Sequence, residues 1–287
     1  MAISYIGGKF RISGWIKTFI PKDIEIYTEP CSGMFWVFLK MDLKNYPNLK
    51  TVVYNDYNNL NSNLFRCIKD YDKLWDELNK YSYQQLDIVD TPIEHSELFY
   101  KCQKEVFNSE LIIDDSPNFD IASKYVIVLC QVFSGSKPET SSFIDYKGKY
   151  RSKVLIFMDK LKNSEYRKHF DKITFVENMD FQEVIEKYDS EKAFHYCDLP
   201  YWKTENYYSN HDFNSDDHKR FADCIKKIKG KFAISYYEFP QLLEWYPKNK
   251  YRWESKGFAK AAAAKEGVKQ NIGTELLIMN YNPSIYS

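Results

Sequence analysis

The chain carries no surplus of either charge: 40 Lys and Arg offset 40 Asp and Glu. As a whole it does not advertise a polyanion partner, so any nucleic-acid contact has to come from a local basic face. Cys-x-x-Cys pairs are missing as well. The 6 cysteines (Cys31, Cys67, Cys102, Cys130, Cys197 and Cys224) form no Cys/His cluster at zinc-ligand spacing, and no metal is expected. Several lie inside apolar runs, where a reduced thiol behaves as a small hydrophobe, and a reducing cytoplasm suits them. No run reaches membrane-spanning length, the N-terminus lacks a signal-type apolar core, and no internal repeat is visible. A soluble, intracellular protein with no membrane partner is expected. What remains is a chain of 287 residues, 44% hydrophobic and 28% charged, long enough for one large domain or a domain with a sizeable insertion.

The most informative stretch is His195-Tyr196-Cys197-Asp198-Leu199-Pro200-Tyr201-Trp202. The apolar run Ala193 to Cys197 reads as a short buried strand that stops at an acid, a proline and two aromatics. In open α/β sheets ligands bind just beyond the carboxyl ends of such strands. There Asp198 could accept a hydrogen bond from an exocyclic amine, the Leu199 carbonyl could accept a second, and Tyr201 offers a face for a planar base. An acid-x-Pro-aromatic turn is also common at ordinary strand ends.

Other pieces surround this one in order. Tyr5-Ile6-Gly7-Gly8-Lys9 is a Gly-Gly turn followed by a cation, or a plain N-terminal turn. Ile24 to Thr28 alternates like a strand and runs into Glu29-Pro30-Cys31-Ser32-Gly33, with an apolar helix expected from Met34 to Met41. Thr51 to Asn55 is a strand closing on Asp56, which could bind ribose hydroxyls or cap the helix that follows. Residues 59–165 then change character to charged amphipathic helices, among them Leu64 to Leu78, Glu94 to Val106 and Ile121 to Phe133. That region closes on the loop Asp145 to Lys153, whose Lys147, Lys149, Arg151 and Lys153 suit phosphate contacts or simply face solvent. Sheet resumes at Ile173 to Val176. Asp180-Phe181 follows, able to hold a purine or to cap the helix Phe181 to Tyr188. A helix is expected at Asp216 to Lys229 and a strand at Phe232 to Tyr236. Tyr251 to Trp253 and Glu275 to Asn280 read as a closing antiparallel pair.

Taken in this order, the pieces resemble the alpha-class DNA adenine methyltransferases, the Dam family. Tyr5-Ile6-Gly7-Gly8-Lys9 is similar to the family's aromatic-x-Gly-Gly-Lys opening, and Glu29-Pro30-Cys31-Ser32-Gly33 to its Glu-Pro-Phe-x-Gly cofactor loop. Asn55-Asp56, Asp180-Phe181 and Asp198-Leu199-Pro200-Tyr201 fall at its ribose acid, its Asp-Phe pair and its catalytic Asp-Pro-Pro-Tyr. Thr204, Tyr207, Phe213 and Asp217-His218 keep the family's spacing. The resemblance implies an α/β fold: a Rossmann-like seven-stranded S-adenosylmethionine-dependent methyltransferase sheet with a helical target-recognition insertion. Residues 1–58 and 166–287 would form the catalytic domain and 59–165 the target recognition domain.

It further implies S-adenosylmethionine as methyl donor and double-stranded DNA as substrate, with the target adenine flipped out of the duplex. The protein would be bacterial, or phage-encoded in a bacterial host. Asp198, Leu199, Pro200 and Tyr201 would be catalytic. Tyr5, Gly8, Lys9, Pro30, Ser32, Gly33, Asp56, Asp180, Phe181 and Asp198 would line the cofactor site. Two departures stand out: Phe35 replaces the family's second loop glycine with Trp36 behind it, and Leu199 replaces the first proline of the tetrad. A catalytically impaired nucleic-acid-binding relative, or a pocket for cytosine or RNA, stays open as an alternative.

Overall fold

In the computed structural model the described residues are 8–81, 92–107, 116–132, 137–144, 152–203, 213–259 and 272–283. The chain forms two compact units: Met1–Gly8 with Asn58–Val176, and Lys9–Tyr57 with Glu177–Ser287.

The first unit is helical. It holds α2 (Asn59–Ile68), α3 (Tyr71–Asn79), α4 (Pro92–Phe107), α5 (Phe119–Gln131), α6 (Lys153–Lys162) and α7 (Ser164–Lys172). Side chains that accept the first free backbone N–H groups begin several of these helices: Asn58 on α2, Asp70 on α3, Asn118 on α5 and Ser152 on α6. The single helix expected over Leu64 to Leu78 is thereby two. Asp70 takes the Lys73 N–H, and this cap starts a new helix where apolar spacing alone runs on. Several buried polar groups are paired within the unit. Asn63 exchanges two hydrogen bonds with the backbone of Asn118, and the Tyr125 hydroxyl donates to Asn61 at 2.9 Å.

The second unit carries α1 (Ser13–Ile16), β1 (Ile26–Glu29), β2 (Thr51–Asn55), α8 (Phe181–Tyr188), β4 (Ala193–Cys197), α9 (Ser215–Ile225), β5 (Lys231–Tyr236), α10 (Leu242–Trp245), β6 (Arg252–Ala259) and β7 (Ile272–Met279). With β3 (Phe175–Glu177) the described strands form one seven-stranded sheet in the order β3-β2-β1-β4-β5-β7-β6. β1 pairs parallel with both β2 and β4, and β4 pairs parallel with β5. β7 runs antiparallel between β5 and β6. Order reverses at β1, which makes its junction with β4 the switch point of a Rossmann-like sheet. β4 is buried throughout, as an apolar strand covered on both faces must be.

Three expectations change here. Met34 to Met41 is not an α-helix. Gly33 (φ 50°) and Phe35 (φ 56°) are left-handed, so the chain turns and only a short 3₁₀ turn forms at Phe38–Lys40. α9 ends at Ile225, four residues short of Lys229. The cap of α2 is Asn58 rather than Asp56, which leaves the Asp56 carboxylate to other work.

Candidate active site

Parallel pairing brings the carboxyl ends of β1, β2, β4 and β5 to one edge of the sheet. Three of the four are followed there by a segment the sequence singled out: Pro30 to Phe35 after β1, Asp56 after β2, and Asp198 to Trp202 after β4. β7 arrives from the opposite direction. Its Leu276 pairs with Tyr236, the end of β5, so the preceding Glu275 is delivered to the same edge.

Asn55 ties this edge together. Its side-chain amide donates to the carbonyls of Pro30 (2.7 Å) and Met179 (3.0 Å), while its carbonyl accepts the Met179 N–H (2.9 Å). Two loops are thus tied to the end of β2 by one buried side chain. Ser32 adds a second tie: its N–H donates to the Asn55 carbonyl, and its hydroxyl donates to the Glu29 carbonyl while accepting the Asn55 N–H. The Asp56 carboxylate accepts the Gly33 N–H at 2.8 Å, and the Tyr54 hydroxyl donates to the Gly33 carbonyl at 2.9 Å. Pro30 and Ser32 are buried, whereas Gly33 and Asp56 remain partly exposed. Phe35 keeps the left-handed backbone that a glycine would adopt there, and its ring turns inward. It is fully buried against Phe38 (4.7 Å), Tyr54 (5.3 Å) and Tyr27 (6.2 Å). The ring therefore fills the core beneath the loop.

The ionisable groups gather at Asp198. Lys9 places its Nζ 2.7 Å from Asp198 Oδ1 and 3.6 Å from Glu275 Oε1. The same ammonium lies 4.7 Å from the centre of the Tyr201 ring, and the Tyr201 hydroxyl donates to Glu275 Oε1 at 2.5 Å. Two carboxylates share one cation in a nearly dry setting: only Asp198 keeps appreciable exposure, 19% of its side chain. Burial pushes the Asp198 carboxyl up to about 6; Lys9 pulls it down and Glu275 pushes it further up. Glu29 stands nearby with Tyr27 OH (2.6 Å) and Phe38 N–H (3.1 Å) donating to Oε1, and burial pushes it up to about 8. Neutral pH falls between these two values, so burial holds a proton more firmly on Glu29 than on Asp198.

The remaining expected residues divide. Leu199 and Pro200 are buried, and Leu199 packs in a core cluster with Phe181, Ile185, Phe221 and Ile234. Tyr201 is also buried, with Tyr237 4.3 Å from its ring and Lys9 over it. Asp180 caps α8 and is gripped by Arg220 through two hydrogen bonds of 2.7 and 2.8 Å. Burial pushes this carboxyl up, but the guanidinium wins and holds it below the usual range. Arg220 also covers the Phe181 ring at 4.0 Å. Gly8 is exposed, and Lys153, at the start of α6, is half-buried. Tyr5, Lys147, Lys149, Arg151, Thr204 and Tyr207 lie outside the described residues. Among the described residues no three His, Cys, Asp or Glu groups gather as a metal site. No described helix is long and apolar enough to cross a membrane.

Sequence reasoning missed Glu275, the loop-bracing role of Asn55, and Arg220. Only Glu275 left a trace, as one acid at the head of the apolar run Leu276 to Met279.

A sheet of this order with an acid-x-Pro-Tyr turn after β4 is consistent with a Rossmann-like methyltransferase fold. The chain belongs to the D12 class of N6 adenine-specific DNA methyltransferases, whose family model matches residues 5–257. Among solved structures it is similar to the rRNA methyltransferase aviRa from Streptomyces viridochromogenes, at 9% sequence identity and a TM-score of 0.34. That match covers 96% of this chain and 85% of the other, a likeness too distant to bear on substrate. No curated protein matches the chain.

Proposed function

We propose that this protein is a Dam-type enzyme that methylates the exocyclic amino group of adenine in DNA, taking the methyl group from S-adenosylmethionine. The observation that carries the reading is Asp198 at the end of β4, part-exposed, paired with Lys9 and followed by Leu199, Pro200 and Tyr201. The cofactor fits the donor set at the adjoining strand ends. The loop Pro30 to Gly33, braced by Asn55, and the Asp56 carboxylate stand at the switch point, where such sheets bind nucleotide-like ligands. Inward packing of Phe35 leaves that loop its glycine-like path. Asp56 would hold the ribose, Asp180 with Phe181 the adenine, and Lys9 the methionine carboxylate. When bound, S-adenosylmethionine supplies an electrophilic methyl group.

The chain's own residues do the rest. An adenine amino nitrogen is a poor nucleophile because its lone pair is delocalised into the ring. Asp198 and the Leu199 carbonyl, accepting its two hydrogens, would draw that lone pair out of conjugation and stabilise the positive charge that develops. Asp198 can then hold the proton the nitrogen sheds. Reaching these acceptors requires the base to leave the duplex, and stacking on Tyr201 would offset part of the few kcal/mol that unstacking costs. Lys9 now covers both Asp198 and that ring. Its turn toward the cofactor would open both to the base. Residues 59–165 would recognise the target sequence, with Lys147, Lys149, Arg151 and Lys153 on the phosphates.

Incubation with unmethylated genomic DNA and methyl-labelled cofactor, followed by mapping of modified bases, tests the reading. Methyladenine at a defined sequence is expected. Asp198→Ala should lower turnover by about two to three orders of magnitude in a folded protein. Near-normal turnover by that variant would sink the mechanism, and cofactor binding with no product on any DNA would leave a binding-only relative.

A further inference from the structure

We propose that Glu275 is a positioning residue of the methyl-transfer site: its carboxylate anchors the Tyr201 hydroxyl and shares the Lys9 ammonium with Asp198. The inference rests on the methyltransferase reading and adds a residue from a strand that none of the sequence motifs touches. Glu275 is 1% exposed. A carboxylate that dry is costly unless it is paired and hydrogen-bonded, and here both conditions are met by groups of the site. Tyr201 donates to Oε1 at 2.5 Å and Lys9 stands 3.6 Å from the same oxygen.

The arrangement fixes three things together. Tyr201 is held at its hydroxyl end by Glu275 and along its ring by Tyr237, so the plane offered to a base is set before a base arrives. Lys9 is held between two acids 2.7 and 3.6 Å away, so its departure from Asp198 need not leave it without a counter-charge. Glu275 also faces Asp198 as a like charge, which favours the protonated form of the acceptor. Among the described residues, the other ionisable groups facing this pair include Tyr196 and Cys197 on β4, Tyr237 beyond β5, Glu29 on β1 and Cys31 just after it. On the neighbouring strand β6, Lys256 is the register partner of Glu275 and is exposed. A purely structural acid would touch none of the groups assigned to the site. Glu275 touches two of them, Tyr201 and Lys9, and acts on a third, Asp198.

Two variants separate its roles. Glu275→Gln keeps an acceptor for Tyr201 and removes the charge; Glu275→Leu removes both. With the full-length protein, unmethylated genomic DNA and S-adenosylmethionine, Glu275→Leu should lose about tenfold or more in kcat. Its calorimetric affinity for S-adenosylhomocysteine should stay within about twofold. Glu275→Gln should recover most of the rate, with the acid limb of its pH profile moved to lower pH. Wild-type kcat in Glu275→Leu, or equal losses in both variants, would overturn the proposal. If Glu275→Leu does not fold, the pH profile of Glu275→Gln decides alone. A separate reading does not depend on activity: the carboxyl-carbon NMR titration of Asp198, assigned with Asp198→Asn. Its midpoint should fall in Glu275→Gln, and an unmoved midpoint refutes the coupling. A wild-type protein inert on every DNA would overturn the methyltransferase reading, and the titration would still judge Glu275.

Discussion

Phe35 shows how two effects at one residue are weighed. Its left-handed backbone costs a side chain about 1–3 kcal/mol, whereas emptying a buried phenylalanine site typically costs about 3–5 kcal/mol. The ring packs on Tyr27, Phe38 and Tyr54, so packing wins. Phe35→Gly, although it relieves the left-handed backbone, should therefore lower stability by about 1–3 kcal/mol, measured by chemical denaturation. A stabilised variant would mean that strain dominates the loop. Leu199 poses a similar contest. Its side chain is 2% exposed within the core cluster, but its carbonyl is the group proposed to act. Leu199→Pro should lower the thermal midpoint, at a cost of about 1–3 kcal/mol in lost packing. Turnover per folded molecule should rise about tenfold, because the ring fixes φ and aims the carbonyl. Lower turnover in the folded variant would show a pocket built around leucine.

Among the elements, the strands that lead into the site were the most legible. β2, β4 and α8 have the bounds that apolar runs and polar stops predict. The segment after β1 was misread because Met34 to Met41 satisfies helical apolar spacing, and nothing in side-chain chemistry marks Phe35 as left-handed. Glu275 was not legible for a different reason. One acid at the head of an apolar strand reads equally well as exposed, and only the register of β7 on β5 places it beside Tyr201. The entry to β5 carries a constraint of the same hidden kind. A Cβ on Gly230 would lie 2.7 Å from the Ala193 carbonyl oxygen and 2.8 Å from that of Ser190, both backbone and unable to yield cheaply. Its N–H donates to Asp189, and its carbonyl accepts from Asn280. Gly230→Ala should destabilise the protein by about 1–3 kcal/mol, seen as a lower thermal midpoint. An unchanged midpoint would mean that β4 and β5 can part without cost.

For the whole molecule, the buried acids set a pH dependence. Burial raises Glu29 from its ordinary 4.5 to about 8, so the folded state holds a proton that the unfolded chain has released. The stabilisation this gives is complete below about 4.5 and is lost as pH rises toward about 8. Asp198, raised from 3.8 to about 6, adds the same sign over a lower window. Glu29→Gln copies the protonated form, with its oxygen still available to Tyr27 and Phe38. Its thermal midpoint should match wild type below about pH 4.5 and exceed it increasingly toward pH 8. Parallel curves would show that Glu29 is ionised throughout.

The reversal of β7 has a consequence in time as well as in space. Lys9 and Glu275 meet at Asp198 although they stand at opposite ends of the sequence. A chain still emerging from the ribosome can have made Asp198, its turn and the whole parallel half of the sheet while Tyr201 lacks its acceptor. Until synthesis has passed Met279 and the reversed strand has zipped onto β5, the constellation does not exist. Nascent and truncated chains that end before Glu275 should therefore lack the Tyr201 anchor and the second acid beside Lys9.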